Sequence, residues 1–439
     1  MLKRKIEQTL TNWKHTPNHK PLIIKGPRQC GKTFSVLDFT KKHYRHTVYL
    51  NFFENPDYAS VFSGSLEVDN IVMFLSALLG DQAIFEAGET VLVLDEIQNC
   101  PEARTSFKFF HADGRYDVIG TGSLLGIKGY GEKPACIPVG SETIVDMYPL
   151  DFEEFLWANK ISKTVIDMLK KCLDTEMSVP QALHLRMKQL LQQYAVVGGM
   201  PDAVQTFVDT RQMNEVLRIQ RDIVRTYEDD MLKYAEKKDR ACIRECFRSI
   251  PIQLSKENKK FQYSVIKKGA PAAKYAGCLK WLEDAGIIAR CYGLSATALP
   301  LSSHVREDVF KVYMRDCGLF VSMLEDGTQY DILQGRFFDY NGAVFENLMA
   351  DILTKMGRRL YYFRKSSGLE ADFFIRYKGK CTLLDGKSAT GNTKNIKTIL
   401  RHPEEYHINS AIRLGNCNIR KSGQILSLPY YMVFLLRTC

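Results

Sequence analysis

Short apolar runs alternate with amphipathic stretches over the first 160 residues of the chain. The apolar runs place hydrophobic residues at consecutive positions, which is typical of strands buried on both faces of a parallel sheet. The amphipathic stretches repeat apolar residues every three or four positions, as helices that cover such a sheet do. The pattern therefore predicts an α/β domain with a parallel sheet. Its strands are predicted at Pro21–Lys25, Thr47–Asn51, Thr90–Leu94, Tyr116–Gly120 and Glu142–Tyr148, and its helices at Thr33–Lys42 and Asp69–Leu79.

Beyond residue 160 the pattern becomes helical, with one interruption at Gly198-Gly199-Met200-Pro201, where the glycines and proline predict a turn. From Phe261 onward it predicts a turn, a helix at Ala272–Ala285 closed by Gly286, and a strand at Ile287–Tyr292. This order is the outline of a winged-helix domain. A later helix is predicted at Asp339–Met356, followed by short strands at Leu360–Arg364, Asp372–Tyr377 and Cys381–Asp385.

The composition is that of a globular protein, since hydrophobic residues make up 45% of the 439 positions and charged residues 25%. Collagen-like, disordered and disulfide-scaffold classes are excluded, and about 150 residues per domain gives about three domains. Apolar runs such as Ile71–Leu79 are too short or too interrupted to cross a bilayer, and the charged N-terminus lacks a signal-peptide core. We therefore expect a cytoplasmic protein without membrane contact. Its twelve scattered cysteines are expected to be reduced, and no CxxC pair supports a zinc site.

Positive charge is concentrated at the C-terminal end. The chain has 60 Lys and Arg against 50 Asp and Glu, a net charge of +10. From Arg358 to Cys439 there are fifteen basic and five acidic residues, which accounts for the whole excess. Such a region on a neutral body favours contact with a polyanion. A solvated basic surface that aids solubility is the alternative.

A phosphate-binding motif, GxxxxGK[ST], lies between the first predicted strand and the first predicted helix. Its glycines let backbone N–H groups surround a phosphate, and the helix N-terminus adds positive potential. Lys32 can reach the β- and γ-phosphates, and the Thr33 hydroxyl can bind Mg²⁺. The predicted nucleotide contacts are Gly26, Pro27, Arg28, Gln29, Cys30, Gly31, Lys32, Thr33 and Phe34, with Ser123 from a later strand.

The strand Thr90–Leu94 ends in two carboxylates, Asp95 and Glu96, which is the Walker B arrangement. Asp95 is expected to hold Mg²⁺ through water. Glu96 is expected to polarise the water that attacks the γ-phosphate, with Lys32 as its catalytic partner. The structural alternative is that both carboxylates only cap a turn.

The next predicted strand ends close to two hydroxyl groups that could sense a γ-phosphate, those of Thr121 and Ser123, of which Ser123 is preferred. Arg104 and Arg115 are the candidates for an arginine finger nearest this sheet. The alternative for either arginine is a solvated position on the surface.

An ordered set of polar residues lies in and just before the basic end: Glu346 on a helix, Asp372 opening a strand, and Asp385-Gly386-Lys387 ending the next strand. This is the order found in PD-(D/E)xK nucleases. Because side chains of a strand repeat every two residues, Asp385 and Lys387 are predicted to share a face. Asp372 and Asp385, with Glu346, would hold a divalent metal, and Lys387 would activate water. The alternatives are solvated strand-edge residues, or a nuclease-shaped domain that binds without cutting.

The chain resembles the AAA-type ATPases of bacteria and archaea that carry a C-terminal restriction-endonuclease-like domain of unknown function. The resemblance covers nearly the whole chain and rests on the phosphate-binding motif, Asp95-Glu96-Ile97-Gln98 and Gly120-Thr121-Gly122-Ser123. Two more specific matches are the segment Met147–Phe155 and Gly198-Gly199-Met200-Pro201. One departure is Leu124, where the family often has a small residue.

The resemblance implies four domains in order: an AAA-type P-loop core at 1–157, a helical lid at 158–250, a winged helix at 251–335 and a restriction-endonuclease-like domain at 336–439. The expected cofactors are ATP and Mg²⁺. The expected function is an ATPase whose nucleotide state controls a nuclease-like domain that acts on or binds DNA. The alternative is a nucleotide-dependent switch whose C-terminal domain is catalytically inactive and binds nucleic acid or protein.

The expected partner is nucleic acid, and DNA is favoured over RNA. The winged-helix lysines Lys267, Lys268, Lys274 and Lys280 could contact DNA, or that domain could contact protein. AAA-type proteins often assemble into rings, so a homo-oligomer is also considered.

Overall fold

The computed structural model describes residues 2–123, 140–269, 272–340, 342–365, 367–386 and 394–437. Lys387 and Leu124 lie outside these residues, and so does the side chain of Lys274. The chain divides into two compact units. The N-terminal unit contains Lys3–Pro149 with Asp284–Gly286, and the C-terminal unit contains Leu150–Glu283 and Ile287–Cys439 together with residues 1 and 2.

The N-terminal unit is built on a parallel sheet of five strands in the order β2-β3-β4-β1-β5. The strands are β1 Leu22–Lys25, β2 His46–Asn51, β3 Thr90–Asp95, β4 Asp117–Gly122 and β5 Thr143–Asp146. The helices are α1 Ile6–His15, α2 Lys32–His43, α3 Val68–Leu79, α4 Pro101–Thr105 and α5 Phe107–Asp113. Short 3-10 helices lie at Pro56–Phe62, Gly80–Gln82 and Ile97–Asn99.

Strand β3 shows why this sheet forms. Leu92 and Leu94 pack into one hydrophobic core, while Val91 and Val93 pack into the core on the opposite face. Every residue of the strand is buried, as the continuous apolar run predicts. Because the carboxyl ends of parallel strands lie at one edge, β1, β3 and β4 deliver their following loops to the same edge of the sheet.

The C-terminal unit begins with five helices: α6 Phe152–Ala158, α7 Lys163–Asp174, α8 Gln181–Val197, α9 Pro201–Thr210 and α10 Met213–Tyr234. Helix α6 begins with a capping box. The Asp151 side chain accepts a hydrogen bond from the Glu154 N–H, and the Glu154 carboxylate accepts one from the Asp151 N–H. The helices that follow are α11 Arg240–Leu254, α12 Tyr263–Ile266, α13 Ala272–Asp284, α14 Cys317–Ser322, α15 Thr328–Leu333, α16 Ala343–Lys355, α17 Lys394–Arg401 and α18 Pro403–Tyr406.

Two sheets complete this unit. One has the order β7-β6-β8-β9, and the other has the order β10-β11-β12-β14-β13. Their strands are β6 Ile288–Leu294, β7 Val305–Met314, β8 Leu360–Arg364, β9 Glu370–Ala371, β10 Phe373–Tyr377, β11 Lys380–Gly386, β12 Ala411–Gly415, β13 Arg420–Ser422 and β14 Ile425–Pro429. Short 3-10 helices lie at Leu301–His304 and Tyr430–Leu435. Strand β6 pairs antiparallel with β7 and parallel with β8, so one sheet spans the domain boundary predicted at residue 335.

A buried polar network joins four segments of the C-terminal unit. The Lys355 ammonium lies 2.9 Å from an Asp351 carboxylate oxygen and 3.5 Å from one of Asp316. It also donates to the Tyr194 hydroxyl and to the Leu150 carbonyl, at 3.0 and 3.2 Å. Burial raises the pKa of Asp351 to about 6, because the attraction of Lys355 only partly offsets the desolvation and the nearby Asp316 charge adds to it.

The predicted strands and helices of the first 160 residues are confirmed to within two residues, apart from the shorter fifth strand. The helix predicted from Asp339 is wrong at its start: α16 begins at Ala343, since Gly342 adopts a φ of +72° that a continuing helix does not allow. Helices α11–α13 precede the antiparallel pair β6 and β7. No helix among the residues described above is long and apolar enough to cross a membrane.

Candidate functional site

The loop between β1 and α2 carries the phosphate-binding motif and has the backbone that such a site needs. Gln29 and Gly31 have φ values of +62° and +92°, and such left-handed residues occur in the backbone turns that form anion-binding nests. At Gly26 there is no space for a side chain, because a Cβ would lie 2.0 Å from the Met147 carbonyl oxygen. The Lys32 ammonium donates to the carbonyls of Gly26 and Pro27, at 3.1 and 2.9 Å.

The side chains of the loop differ in what they can offer a nucleotide. Cys30 is fully buried in the core, and its backbone carbonyl accepts a hydrogen bond from Arg4 at 2.9 Å. Phe34 is 61% exposed. The Arg28 guanidinium lies 5.9 Å from the centre of the Phe53 ring. The loop therefore presents mainly backbone groups and Lys32 to a phosphate.

Asp95 is the centre of the hydrogen-bond network at the end of β3, and only 3% of it is exposed. Its Oδ2 accepts from the Thr33 hydroxyl and from the Tyr49 hydroxyl, each at 2.9 Å. Its Oδ1 accepts from the Thr121 hydroxyl and from the Glu96 N–H. A hydroxyl and a carboxylate in direct contact form the oxygen donor pair that Mg²⁺ prefers, so Thr33 and Asp95 fit this ion.

Tyr49 also belongs to this network, although the sequence pattern does not predict it. Burial raises the pKa of its hydroxyl, and the charge of Asp95 raises it further. Tyr49 is therefore a hydrogen-bond donor to Asp95 throughout the physiological pH range. The parallel register of β2 and β3 is the signal that could have found it. Tyr49 pairs with Val93 and Asn51 pairs with Asp95, which brings Tyr49 close to Asp95.

Glu96 follows Asp95 with a left-handed backbone, φ +52° and ψ +42°, which is uncommon outside glycine and occurs often at functional sites. Its Oε2 accepts from the Gln98 amide and lies 3.5 Å from the Ser123 hydroxyl. Ser123 is thus close to the predicted general base, whereas Thr121 contacts the predicted magnesium ligand. The sequence pattern assigns no role to Gln98.

The two candidate arginine fingers are engaged within the N-terminal unit. Arg104 forms a two-pronged ion pair with Glu142. Arg115 pairs with Asp113 and Asp69, and hydrogen bonds to these two carboxylates raise the pKa of its guanidinium. Both arginines would have to break these ion pairs to contact a phosphate.

Glu346, predicted as a metal ligand, lies in a cluster of opposite charge. Its carboxylate contacts the ammonium group of Lys259, that of Lys311 at 3.1 Å, and the Tyr313 hydroxyl at 2.8 Å. Burial opposes ionisation of Glu346, but the charges of Lys311 and Lys259 outweigh burial and hold its pKa at about 2. Lys311 also pairs with Glu370 at 2.9 Å.

The two aspartates of the predicted nuclease site lie on or beside neighbouring strands. Asp372 precedes β10, and its Oδ2 accepts from the Gly386 N–H at 3.1 Å. Asp385 lies in β11 and is 1% exposed. Lys387 falls outside the described residues. Within those residues, no group of three or more His, Cys, Asp or Glu side chains is arranged to hold a metal ion. Lys267, Lys268 and Lys280 are exposed.

The N-terminal unit matches a known protein family. Residues 18–156, which contain the whole nucleotide site, match the AAA domain family. This unit is therefore similar to AAA-type P-loop domains. The matched residues supply the loop, the Asp95 network and Glu96. Residues 188–330 and 341–431 of the C-terminal unit match two families that are each described as a domain of unknown function, DUF8612 and DUF4143.

The chain has only distant similarity, in sequence identity and in TM-score, to the solved structures that match it. The Walker-type ATPase of Pyrococcus abyssi aligns with a TM-score of 0.43 and 14% identity, over 74% of this chain and 96% of that one. The Aeropyrum pernix ORC2 protein, in ADPNP and ADP complexes, aligns with a TM-score of 0.33 and 14% identity, over 72% and 88%. The ORC1 protein of the same organism, in complex with DNA, gives 0.30 and 12%, over 77% and 94%. The search of curated proteins gives no match.

Proposed function

We propose that this protein binds ATP with Mg²⁺ in its AAA domain, hydrolyses the ATP, and uses its nucleotide state to control a basic C-terminal region that acts on or binds DNA. The observation that supports this most directly is the 2.9 Å contact between the Thr33 hydroxyl and Asp95, beside Glu96 and the Lys32 loop. Lys32 and Thr33 begin α2, Asp95 ends β3 and Glu96 follows it, and each of these groups has the chemistry that one part of phosphoryl transfer needs.

In this mechanism the loop amides and Lys32 bind the β- and γ-phosphates, and Lys32 exchanges its two carbonyl partners for phosphate oxygens. Thr33 and Asp95 would hold Mg²⁺, which would neutralise charge on the phosphate oxygens. Glu96 accepts a proton from water as the water oxygen bonds to the γ-phosphorus. The bond from that phosphorus to the β–γ bridging oxygen breaks, so that ADP and inorganic phosphate form and Glu96 returns its proton to solvent. Ser123 senses the γ-phosphate.

Two substitutions separate binding from hydrolysis. Lys32→Ala removes the cation that faces the phosphates, so we expect it to abolish ATP binding measured by fluorescence titration. Glu96→Gln keeps the shape of the site without a base, so we expect near-normal affinity and a fall in kcat of about 100-fold or more. Glu102→Gln, at an exposed glutamate nearby, is the matched control. Wild-type protein that binds neither adenine nor guanine nucleotides would contradict the proposal.

DNA contact through the C-terminal unit is supported by its charge. The last 82 residues carry the whole excess of ten positive charges, and Lys267, Lys268 and Lys280 add exposed cations. Assembly into a homo-oligomer is part of the same proposal, and mass photometry with and without ATP tests it.

A second candidate function is a nucleotide-dependent switch whose C-terminal region binds DNA without cutting it. The cluster around Glu346 favours it, because two lysines occupy the carboxylate that a metal would need. Incubation of wild-type protein with single- or double-stranded DNA and Mg²⁺ or Mn²⁺ decides between the two. Cleavage that is lost in Asp385→Ala while ATP turnover persists supports the nuclease, and intact DNA supports the switch.

A further inference from the structure

Gln98 is a buried residue next to the proposed general base, and the mechanism above gives it no role. It lies in the 3-10 helix Ile97–Asn99 that follows Glu96, and it is 7% exposed. Its side-chain Nε2 donates a hydrogen bond to Oε2 of Glu96. A neutral amide thus touches the carboxylate that would accept the proton from water.

The orientation of the amide follows from its partner. An ionised carboxylate only accepts hydrogen bonds, so the NH₂ end of Gln98 must face Glu96 and the carbonyl end must face away. Among the residues that the structure describes, the Gln98 Oε1 is buried and has no hydrogen-bond donor. A buried acceptor without a donor is energetically unfavourable. Gln98 therefore forms its hydrogen bond with Glu96 in spite of the cost of leaving its own Oε1 without a donor.

The remaining contacts of Glu96 fix its position from the same side. The Ser123 hydroxyl lies 3.5 Å from Oε2, which is the oxygen that Gln98 already contacts. The Glu96 N–H donates to Asp95 at 3.0 Å, which fixes the backbone beside the magnesium ligands. In the described part of the chain, these contacts use Oε2 and not Oε1, so the carboxylate is held by one oxygen and can present the other.

We propose that Gln98 is a positioning residue for ATP hydrolysis: it holds Glu96 by Oε2 so that Oε1 faces the attacking water. This inference rests on the proposed ATPase function. It follows the general arrangement in which a base is oriented by a third group. Loss of the Gln98 amide would leave nucleotide binding intact and misdirect the base.

The test compares wild type, Gln98→Met, Glu96→Gln and the double variant as full-length proteins. Methionine matches glutamine in length and cannot donate. We expect Gln98→Met to lower kcat by at least about tenfold, with KM and the ATP Kd within about twofold of wild type. In the Glu96→Gln background the same substitution should have no further effect, because the two residues act through one group. An unchanged kcat, or an equal loss in both backgrounds, would overturn the inference.

Gln98→Leu provides a second test if the methionine variant folds poorly. Leucine also lacks a hydrogen-bond donor, so kcat should fall by at least about tenfold while the ATP Kd stays within about twofold of wild type. An unchanged kcat would overturn the positioning role. Failure of the ATPase proposal is a separate result, since wild-type protein would then show no turnover at any pH.

Discussion

Glu346 holds a buried negative charge that is stabilised by two lysines, and this makes its contribution to stability depend on pH. The pKa of Glu346, held at about 2, lies below the ordinary value of 4.5. A carboxylate with a lowered pKa stabilises the fold fully above pH 4.5 and loses that contribution as the pH falls towards 2. The stabilisation therefore exists at neutral pH and disappears in acid.

Glu346→Gln should accordingly destabilise the C-terminal unit by about 3 kcal/mol or more at pH 7, because Lys259 and Lys311 are left without this buried counter-charge. The difference from wild type should shrink as the pH falls from about 5 to about 3. Urea unfolding across this range measures it. Glu215→Gln, which breaks an exposed ion pair with Arg218, is the control and should change little. A pH-independent difference would contradict the ion-pair account.

At the turn between α8 and α9, the backbone passes very close to two other backbone segments, one at Leu150 and one at Gly318. A Cβ on Gly199 would lie 2.0 Å from the Leu150 carbonyl oxygen, and one on Gly318 would lie 2.5 Å from that of Val197. We expect Gly199→Ala to destabilise the protein by about 3 kcal/mol, because neither neighbour is the flexible end of a side chain. Gly277→Ala is the matched control: it lies in α13, and beyond the backbone of its own helix no described atom lies within 4 Å of its Cβ, so it should stabilise by about 0.5–1 kcal/mol. Thermal unfolding of both variants checks the difference, and a neutral Gly199→Ala would refute the crossing.

The sequence predicts the helices and strands of the N-terminal unit well. Each buried strand carries its own apolar run, and the motif residues follow β1, β3 and β4 directly. It does not predict Tyr49, Gln98 or Lys311. Tyr49 meets Asp95 only through the register of β2 and β3, and the contact of Gln98 depends on the left-handed turn at Glu96. Lys311 is buried because Glu346 and Glu370 face it from distant parts of the chain. Such contacts leave no local pattern.

One short segment links the nucleotide loop to the buried network of the C-terminal unit. At one end, the Met147 N–H donates to the Lys25 carbonyl at 2.7 Å, and its own carbonyl lies against Gly26 of the loop. At the other end, the Leu150 N–H donates to the Gly199 carbonyl at 2.7 Å, and its carbonyl accepts from Tyr194 and Lys355. Only Tyr148 and Pro149 lie between these two anchored ends, so we expect this segment to couple the loop to the network.

This connection predicts that stiffness of the segment couples ATP to DNA binding. Insertion of Gly-Gly-Ser after Pro149 should leave the ATP Kd and kcat near wild-type values, because the loop and the Asp95 network are untouched. The change in DNA affinity between ATP-bound Glu96→Gln protein and nucleotide-free protein should fall to near zero, because a flexible linker does not transmit a displacement. Fluorescence anisotropy with labelled DNA measures both affinities. The same insertion after the exposed Gly80 is the control and should preserve the ATP dependence. If the Pro149 insertion preserves it as well, the nucleotide signal must reach the C-terminal unit by another route.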